Sequence, residues 1–496
     1  MRNLFTLSFM VFYLSCLLTY EANAQGTRFN DPLTMQGLDK NTNYSAVSKA
    51  LGGTTIGINN DASIMFSNPA GLQSLNSLQI TLGNSFWMLD QNQTQQYGPA
   101  KYYPNFSLLM EGLTGLIPNP VLDTTKKHTA QDSVQRPFDK ISPSWSRTKN
   151  KNLPTQIMAA IPFTIGEYKL VAGIGVTEYA NMNFYYQDNN VLSPAVNIER
   201  PSPIELVIKN TDSLMVKWYQ NIRNREGSVY GYGAAFSFGV TENLSFGLSG
   251  MLIKGSTNDF ESQIGRGKLT FFTSYFRVDS VDYQNSKTGT SDYSGVELTF
   301  SGIYKSGNLT MGFSIKPPAS ITRDYKYTYQ NDSLNRSNVS TVNGSDKMKL
   351  PWRGTFGLSV SVLDNLRGVI EYELRPMDNA IYRNGGVTSN PWRPSHLLHI
   401  GAEYSPLDWL TIRGGYSDKA EVFEQEGNPF QGDPVYTTVI SGGLGFIYQN
   451  LKLNLTYEYF NVKYDDLLQD AVFLNNAKNN YFVAEISYNI SLPWSQ

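Results

Sequence analysis

Cysteine is almost missing from this chain: Cys16 is the only one in 496 residues. No intramolecular disulfide can therefore hold the fold together. Histidine is nearly as scarce. The three present, His128, His396 and His399, stand in no Ser/His/Asp context and form no His/Cys cluster, so the chain is read as no enzyme, with no metal site and no cofactor. Asp465, Asp466 and Asp470 are read as a solvated acidic loop rather than a calcium site. Net charge is also lacking. Forty basic against 42 acidic residues leave −2, which provides no field to draw in a nucleic acid. Beyond residue 18 no apolar run approaches the roughly 20 residues that a spanning helix requires. What the chain does have is 41 Gly, 31 Tyr, 26 Phe and 7 Trp, too many for a disordered polymer.

The first residues address the chain. Arg2 precedes an apolar run from Leu4 to Leu18, followed by Ala22-Asn23-Ala24 and Gln25. This is the charged, apolar and small-residue order of a secretory signal peptide over 1–24, with Gln25 as the mature start. Cys16 lies inside it, and Tyr13-Leu14-Ser15 fits a lipoprotein box poorly.

After about residue 75 the hydrophobic period is two. Leu451, Leu453, Leu455, Tyr457 and Tyr459 alternate with Lys452, Asn454, Thr456 and Glu458, and Phe482 to Ile490 repeats the pattern, giving strands with one apolar and one polar face. The pattern predicts fourteen strands: 77–88, 155–164, 168–186, 228–239, 243–256, 292–305, 308–317, 350–363, 366–376, 396–405, 409–417, 437–448, 450–461 and 480–491. Tight turns such as Ser306-Gly307-Asn308 alternate with long connections at 89–154, 187–227, 257–291, 318–349, 377–395, 418–436 and 462–479. Short turns on one side and long loops on the other describe an all-β, 14-stranded antiparallel transmembrane β-barrel over 77–496, monomeric, among outer-membrane lipid. An even count puts both barrel ends on the periplasmic side. A soluble sandwich also alternates, but its strands are usually about 5–6 residues long. Phe86, Trp87, Phe184, Tyr185, Tyr186, Trp352, Trp409 and Trp494 are placed as an interfacial girdle.

Residues 25–76 do not alternate. Small residues dominate Ser45–Thr55 and Asp61–Leu72, and Asn68-Pro69 favours a turn. By composition this segment is either a plug in the lumen or a periplasmic arm. Its motifs then narrow the choice. Ala50-Leu51-Gly52-Gly53, Asp61-Ala62 and Asn68-Pro69-Ala70-Gly71-Leu72 resemble the N-terminal hatch of the FadL/TodX family of outer-membrane transporters for hydrophobic compounds. Leu244–Leu248, Ile400–Tyr404 and Trp409–Tyr416 resemble that family's fifth strand and late hairpin. The resemblance implies an N-terminal hatch over 25–76 with gating residues at Gly52, Gly53, Asp61, Asn68, Pro69 and Ala70. It also implies passive uptake of a hydrophobic small molecule, such as a long-chain fatty acid, with exit through the wall at a kinked third strand. There Gly173, Gly175 and Asn181 interrupt the run; glycine permits a bend, or simply relieves crowding.

Further residues are candidates on their own pattern. Phe106, Leu109, Met110 and Leu113 recur at helical spacing in the first long loop and are candidates for an outer capture groove or for a helix packed over the barrel mouth. Alternation puts Glu371, Glu373, Arg375, Glu403, Arg413, Lys452, Glu458 and Glu485 in the lumen. Arg413 and Glu403 lie on adjacent strands within reach of diagonal pairing, in a structural role or against a ligand carboxylate. The long outer loops also suit a protein partner, so the alternative function is a barrel subunit of a secretion or surface-assembly complex. A polar porin is disfavoured by the plug. The chain departs from the family in ending on Leu492-Pro493-Trp494-Ser495-Gln496, and no basic residue matches a carboxylate-binding position.

Overall fold

The computed structural model describes residues 33–40, 45–58, 60–97, 142, 144–196, 214–271, 276–279, 281, 283–333, 336–425, 434–468 and 471–491. Fourteen strands succeed one another around one sheet: β1 (Leu78–Tyr97), β2 (Trp145–Ile165), β3 (Tyr168–Asn181, resuming as Phe184–Val196), β4 (Leu214–Gly239), β5 (Leu244–Phe271), β6 (Tyr283–Ser306), β7 (Leu309–Lys316 and Ala319–Ser333), β8 (Arg336–Leu350 and Arg353–Leu363), β9 (Leu366–Leu374), β10 (Leu397–Leu407), β11 (Leu410–Glu424), β12 (Pro434–Tyr448), β13 (Leu451–Leu468) and β14 (Ala471–Ile490). Each pairs antiparallel with the next. β1 also pairs with β14, Leu78 opposite Ile490, which closes the sheet into a barrel. Pro317-Pro318 and Pro351 fall in the breaks of β7 and β8, where a residue without an N–H costs no ladder bond.

Count and order match the alternation, but the strands run further than predicted. β7 and β8 stay paired to Ser333 and Arg336, and β13 and β14 to Leu468 and Ala471, through the expected loops 318–349 and 462–479. The ladder outlives the hydrophobic pattern because above the lipid both faces meet water, and the alternation has no reason to persist while the hydrogen bonds do. Residues 337–343 of β8 are all exposed.

Within the belt the two faces are sharply different. Ile80 and Leu82 are exposed while Gln79 and Thr81 are buried, and Leu248, Leu252, Leu298 and Phe300 face out while Ser249, Met251, Glu297 and Thr299 face in. The exposed apolar residues are the lipid-facing band of a transmembrane barrel. The expected girdle needs correction. Phe86, Trp352 and Trp409 are exposed, but Trp87, Phe184 and Tyr186 are buried, since neighbours on a strand point to opposite faces. Trp494 lies outside the described residues.

Leu248 sits between Phe236 of β4 and Phe300 of β6 in the middle of the band. Leu248→Arg is expected to cost ~2–4 kcal/mol, the penalty of a cation at the bilayer midplane, measured as a shift in chemical unfolding of the protein in lipid vesicles. Lys254→Arg, six residues further along the same outward face, is expected to be neutral.

Candidate functional site

The leading segment lies against the inner face, and its backbone polar groups decide how. Ser45 caps the short helix α1 (Ala46–Ala50), its Oγ accepting from Ser48 N at 3.3 Å. The helix is buried, so its free amide needs an internal acceptor: Ala46 N donates to Glu485 Oε2 of β14 at 3.0 Å. Lys49 pairs with Glu458 of β13 at 3.1 Å. Gly52 and Gly53 follow with φ of +71° and +95°, left-handed backbone that glycine adopts without strain. Gly52 N donates to Ser441 Oγ of β12 at 3.3 Å, and Gly52 O is 2.6 Å from His399 Nδ1 of β10. Thr55 N donates to Glu371 Oε1 of β9 at 2.6 Å, and Ile56 N donates to the same oxygen.

The remaining hatch-motif residues follow the same rule. Asp61 Oδ1 caps a 3-10 turn by accepting from Ser63 N at 2.8 Å. Asn68, fully buried, donates from Nδ2 to Thr55 O at 3.2 Å and so ties the two motifs together. Pro69 opens the next turn. Ala70 N donates to Ser301 Oγ of β6 at 2.8 Å, and Ala70 O accepts from Ser237 of β4 and Ser245 of β5.

Above this level stands a set of contacts that the sequence reading missed. Arg323 Nη1 donates to Leu33 O at 2.6 Å, Arg225 Nη1 to Gln36 O at 3.1 Å and Arg375 Nη2 to Asp39 O at 2.7 Å. Three buried arginines thus grip three carbonyls spaced three residues apart. Asp259 and Asp346, each accepting from the Nε of its arginine at 3.0 Å, balance Arg225 and Arg323. Arg225 and Arg323 belong to stretches read as loops, so alternation gave no signal for them. Seven methionines, Met35, Met65, Met158, Met182, Met251, Met348 and Met377, pack with Tyr179, Ile253, Ile321 and Trp392 in one buried apolar cluster. Methionine carries no periodic signature either.

Arg413 and Glu403 are directly opposite rather than diagonal, with Nε to Oε2 at 2.7 Å. Arg367 adds a second cation to Glu403 at 2.7 Å. These residues line a polar cavity of about 190 Å³ with Asp61 and Lys452. Phe106, Leu109, Met110 and Leu113 lie outside the described residues, as does His128. Among the described residues no group of three or more His, Cys, Asp or Glu side chains could hold a metal.

The third strand breaks where its side chains compete with the ladder. Gly173 and Gly175 lie in regular pairing opposite Ala160 and Met158 of β2. A Cβ on Gly173 would come 3.0 Å from Met65 Cε of the leading segment. Asn181 Oδ1 accepts from Asn183 N at 3.1 Å, an Asx turn that diverts the chain. The pairing of β2 with β3 ends at Gln156 opposite Thr177, although β2 continues to Trp145 against β1. Side chains reach across from β2 instead, to β3 and its break and also to Tyr230 and Glu226 of β4. Tyr230 Oη donates to Pro154 O at 3.5 Å, Lys151 Nζ to Asn183 Oδ1 at 3.3 Å and Trp145 Nε1 to Gln187 O at 2.8 Å. Lys149 pairs with Glu226, and the Arg147 guanidinium stacks 3.8 Å from the Tyr185 ring centroid.

The wall and the segment fit so closely that a methyl group discriminates. A Cβ on Gly415 of β11 would overlap the Gly52 amide, whereas one on Gly414 meets nothing within 4 Å. Gly415→Ala is expected to cost about 1–3 kcal/mol by overpacking and to speed hydrogen exchange in 45–56. Gly414→Ala is expected to leave exchange there unchanged.

No family model matches the sequence, and no curated protein does. Solved structures do. A FadL homologue from Pseudomonas aeruginosa aligns over 90% of this chain and 98% of its own, with 14% identity and a TM-score of 0.53. The toluene transporter TodX of Pseudomonas putida aligns over 90% of this chain and 99% of its own, with 14% identity and a TM-score of 0.52. The monoaromatic hydrocarbon channel CymD gives 90% and 98%, 12% identity and a TM-score of 0.50. The chain therefore has the barrel fold of the FadL/TodX outer-membrane channels.

Proposed function

We propose that this barrel carries hydrophobic compounds, long-chain fatty acids among them, passively across the outer membrane, with residues 25–76 as its plug. The observation that carries this reading is the apolar, methionine-rich interior that the leading segment, through Met35 and Met65, builds together with the wall strands it is tied to. Methionine is unbranched and polarizable, and it suits surfaces that accept varied apolar ligands. A continuous water-filled pore would serve a polar solute and has no use for such a lining. In this reading Gly52, Gly53, Asp61, Asn68, Pro69 and Ala70 hold the plug seated, and the interrupted seam between β2 and β3 is the sideways exit.

Gating by the segment requires that it move. Cysteines introduced at Lys49 and Glu458 and joined by a short bis-maleimide would fix α1 to β13. Uptake of a labelled hydrophobic probe by cells carrying the cross-linked barrel is expected to fall at least about tenfold, a change worth about 1.4 kcal/mol in the opening equilibrium. Unchanged uptake would exclude gating.

The ribbons of β7 and β8 above the belt, paired to Ser333 and Arg336, also offer a surface for a protein partner in a secretion or surface-assembly complex. Purification in mild detergent separates the readings: a stoichiometric protein partner favours assembly, and co-purifying apolar compounds favour transport.

A further inference from the structure

The cations of the seam owe their place to one extra residue. In β2 Gln156 lies opposite Gly83 of β1 and Pro154 opposite Asn84, so Thr155 has no counterpart. Such a bulge exchanges the two faces of a strand. Below it Ile157 faces lipid and Met158 faces in. Above it Ser146, Thr148, Asn150 and Asn152 are exposed, while Arg147, Lys149 and Lys151 are partly covered. Three cations at alternate positions thus line the inner side of β2 where β3 has left it. Lys149 pairs with Glu226, and Arg147 lies on the Tyr185 ring. Lys151 reaches a neutral acceptor, Asn183 Oδ1 at 3.3 Å.

Opposite Lys151 on the same inner face stands Trp87, 3% exposed and packed with Ala46 of α1 and Tyr481 of β14. Its Nε1–H has no acceptor. An indole nitrogen can only donate, so burial leaves it unfavourable until an oxygen is brought to it. The charges point the same way. Among the described residues at this place Arg147, Lys149, Lys151 and Lys49 face Glu178, Glu226 and Glu458, four cations to three carboxylates. Glu226 and Glu458 are met by Lys149 and Lys49, and Glu178 by a hydrogen bond with Ser228 and the attraction of Lys151 and Lys49. One positive charge is left over.

Resting on the sideways exit proposed above, we infer that the seam holds its own site for the carboxylate head of an amphiphile, with the Lys151 ammonium and the Trp87 indole N–H as donors. A carboxylate only accepts, and it offers an oxygen to each donor together with the missing negative charge. A bare hydrocarbon supplies neither. The position suits the class as well. Ile157, Ile174 and Tyr232 face outward just below, and an opening between the apolar belt and the polar rim receives a tail below and a head above.

The test uses the full-length protein in lipid nanodiscs, with tryptophan labelled by the NMR-active nitrogen isotope. Trp87→Phe keeps a ring and identifies the Trp87 indole signal by its loss. Dodecanoate is expected to move that signal downfield and dodecane to leave it in place; Lys151→Met is expected to abolish the shift and Lys151→Arg to keep it. In cells, Lys151→Met and Trp87→Phe are each expected to lower uptake of labelled dodecanoate about tenfold relative to dodecane, with folding verified by heat-modifiable gel mobility. If dodecanoate leaves the signal unmoved, if both probes fall alike or neither falls in these variants, or if dodecyl phosphate moves the signal and dodecanoate does not, the carboxylate site is overturned. The exit is tested separately by cysteines at Lys149 and Glu226 joined by a short bis-maleimide, which are expected to block both probes when linked and to pass both when unlinked. If linking blocks uptake but the carboxylate tests fail, the sideways exit stands alone. If linking leaves uptake intact, the exit is wrong and the inference falls with it.

Discussion

Closure of the sheet is the constraint on which the rest depends. A strand edge in hydrocarbon would leave a row of unpaired amides and carbonyls, each costing several kcal/mol. The ladder between β1 and β14 removes that edge over its whole length, from Leu78 opposite Ile490 to Tyr97 opposite Ala471. Once the cylinder is closed, the pleat sends every second side chain inward. Carboxylates such as Glu297, Glu371 and Glu485, whose neighbours in sequence face lipid, are therefore forced into a common interior and need partners there.

The leading segment supplies many of those partners, through its amides and its carbonyls alike. At the lower tier amides of Ala46, Thr55 and Ile56 donate to Glu485 and Glu371, and carbonyls of Ala46 and Ala70 accept from Thr456, Ser237 and Ser245. At the upper tier the carbonyls of Leu33, Gln36 and Asp39 accept from three arginines, and Leu33 N donates to Glu261 at 3.1 Å. A segment with little regular structure of its own is thus held by the charges of the barrel, and those charges are satisfied by its backbone. This reciprocity gives a stretch of one short helix and a few 3-10 turns a defined position, and its Met35 and Met65 enter the methionine-rich cluster.

The seam between β2 and β3 shows the same economy of hydrogen bonding with a different outcome. Where β3 turns inward, the wall exchanges regular backbone rungs for side-chain rungs of unequal strength. Backbone ladders open cooperatively, whereas a tyrosine hydroxyl, an exposed ion pair and a stacked arginine separate individually and at lower cost. The seam is thus a weak line in an otherwise continuous sheet.

Much of this was legible in the sequence. Alternation within the lipid belt yields fourteen strands in the right order, and the inward charges follow from the same parity: Glu371, Arg375, Glu403, Arg413 and Glu485 all face the lumen. Parity fails above the belt, where both faces are wet and nothing distinguishes a paired ribbon from a loop, so the upper halves of β7 and β8 and the arginines on β4 and β7 were not foreseen. The motifs of the leading segment announced tight turns, yet which strands Gly52, Asn68 and Ala70 meet is a matter of distance across the barrel. The sequence alone determined that a two-faced sheet must close around its own charges, because period two and lipid burial are local properties. Only the tertiary structure decided which carbonyl each arginine holds, because those contacts join residues 189 to 336 positions apart and have no local pattern to betray them.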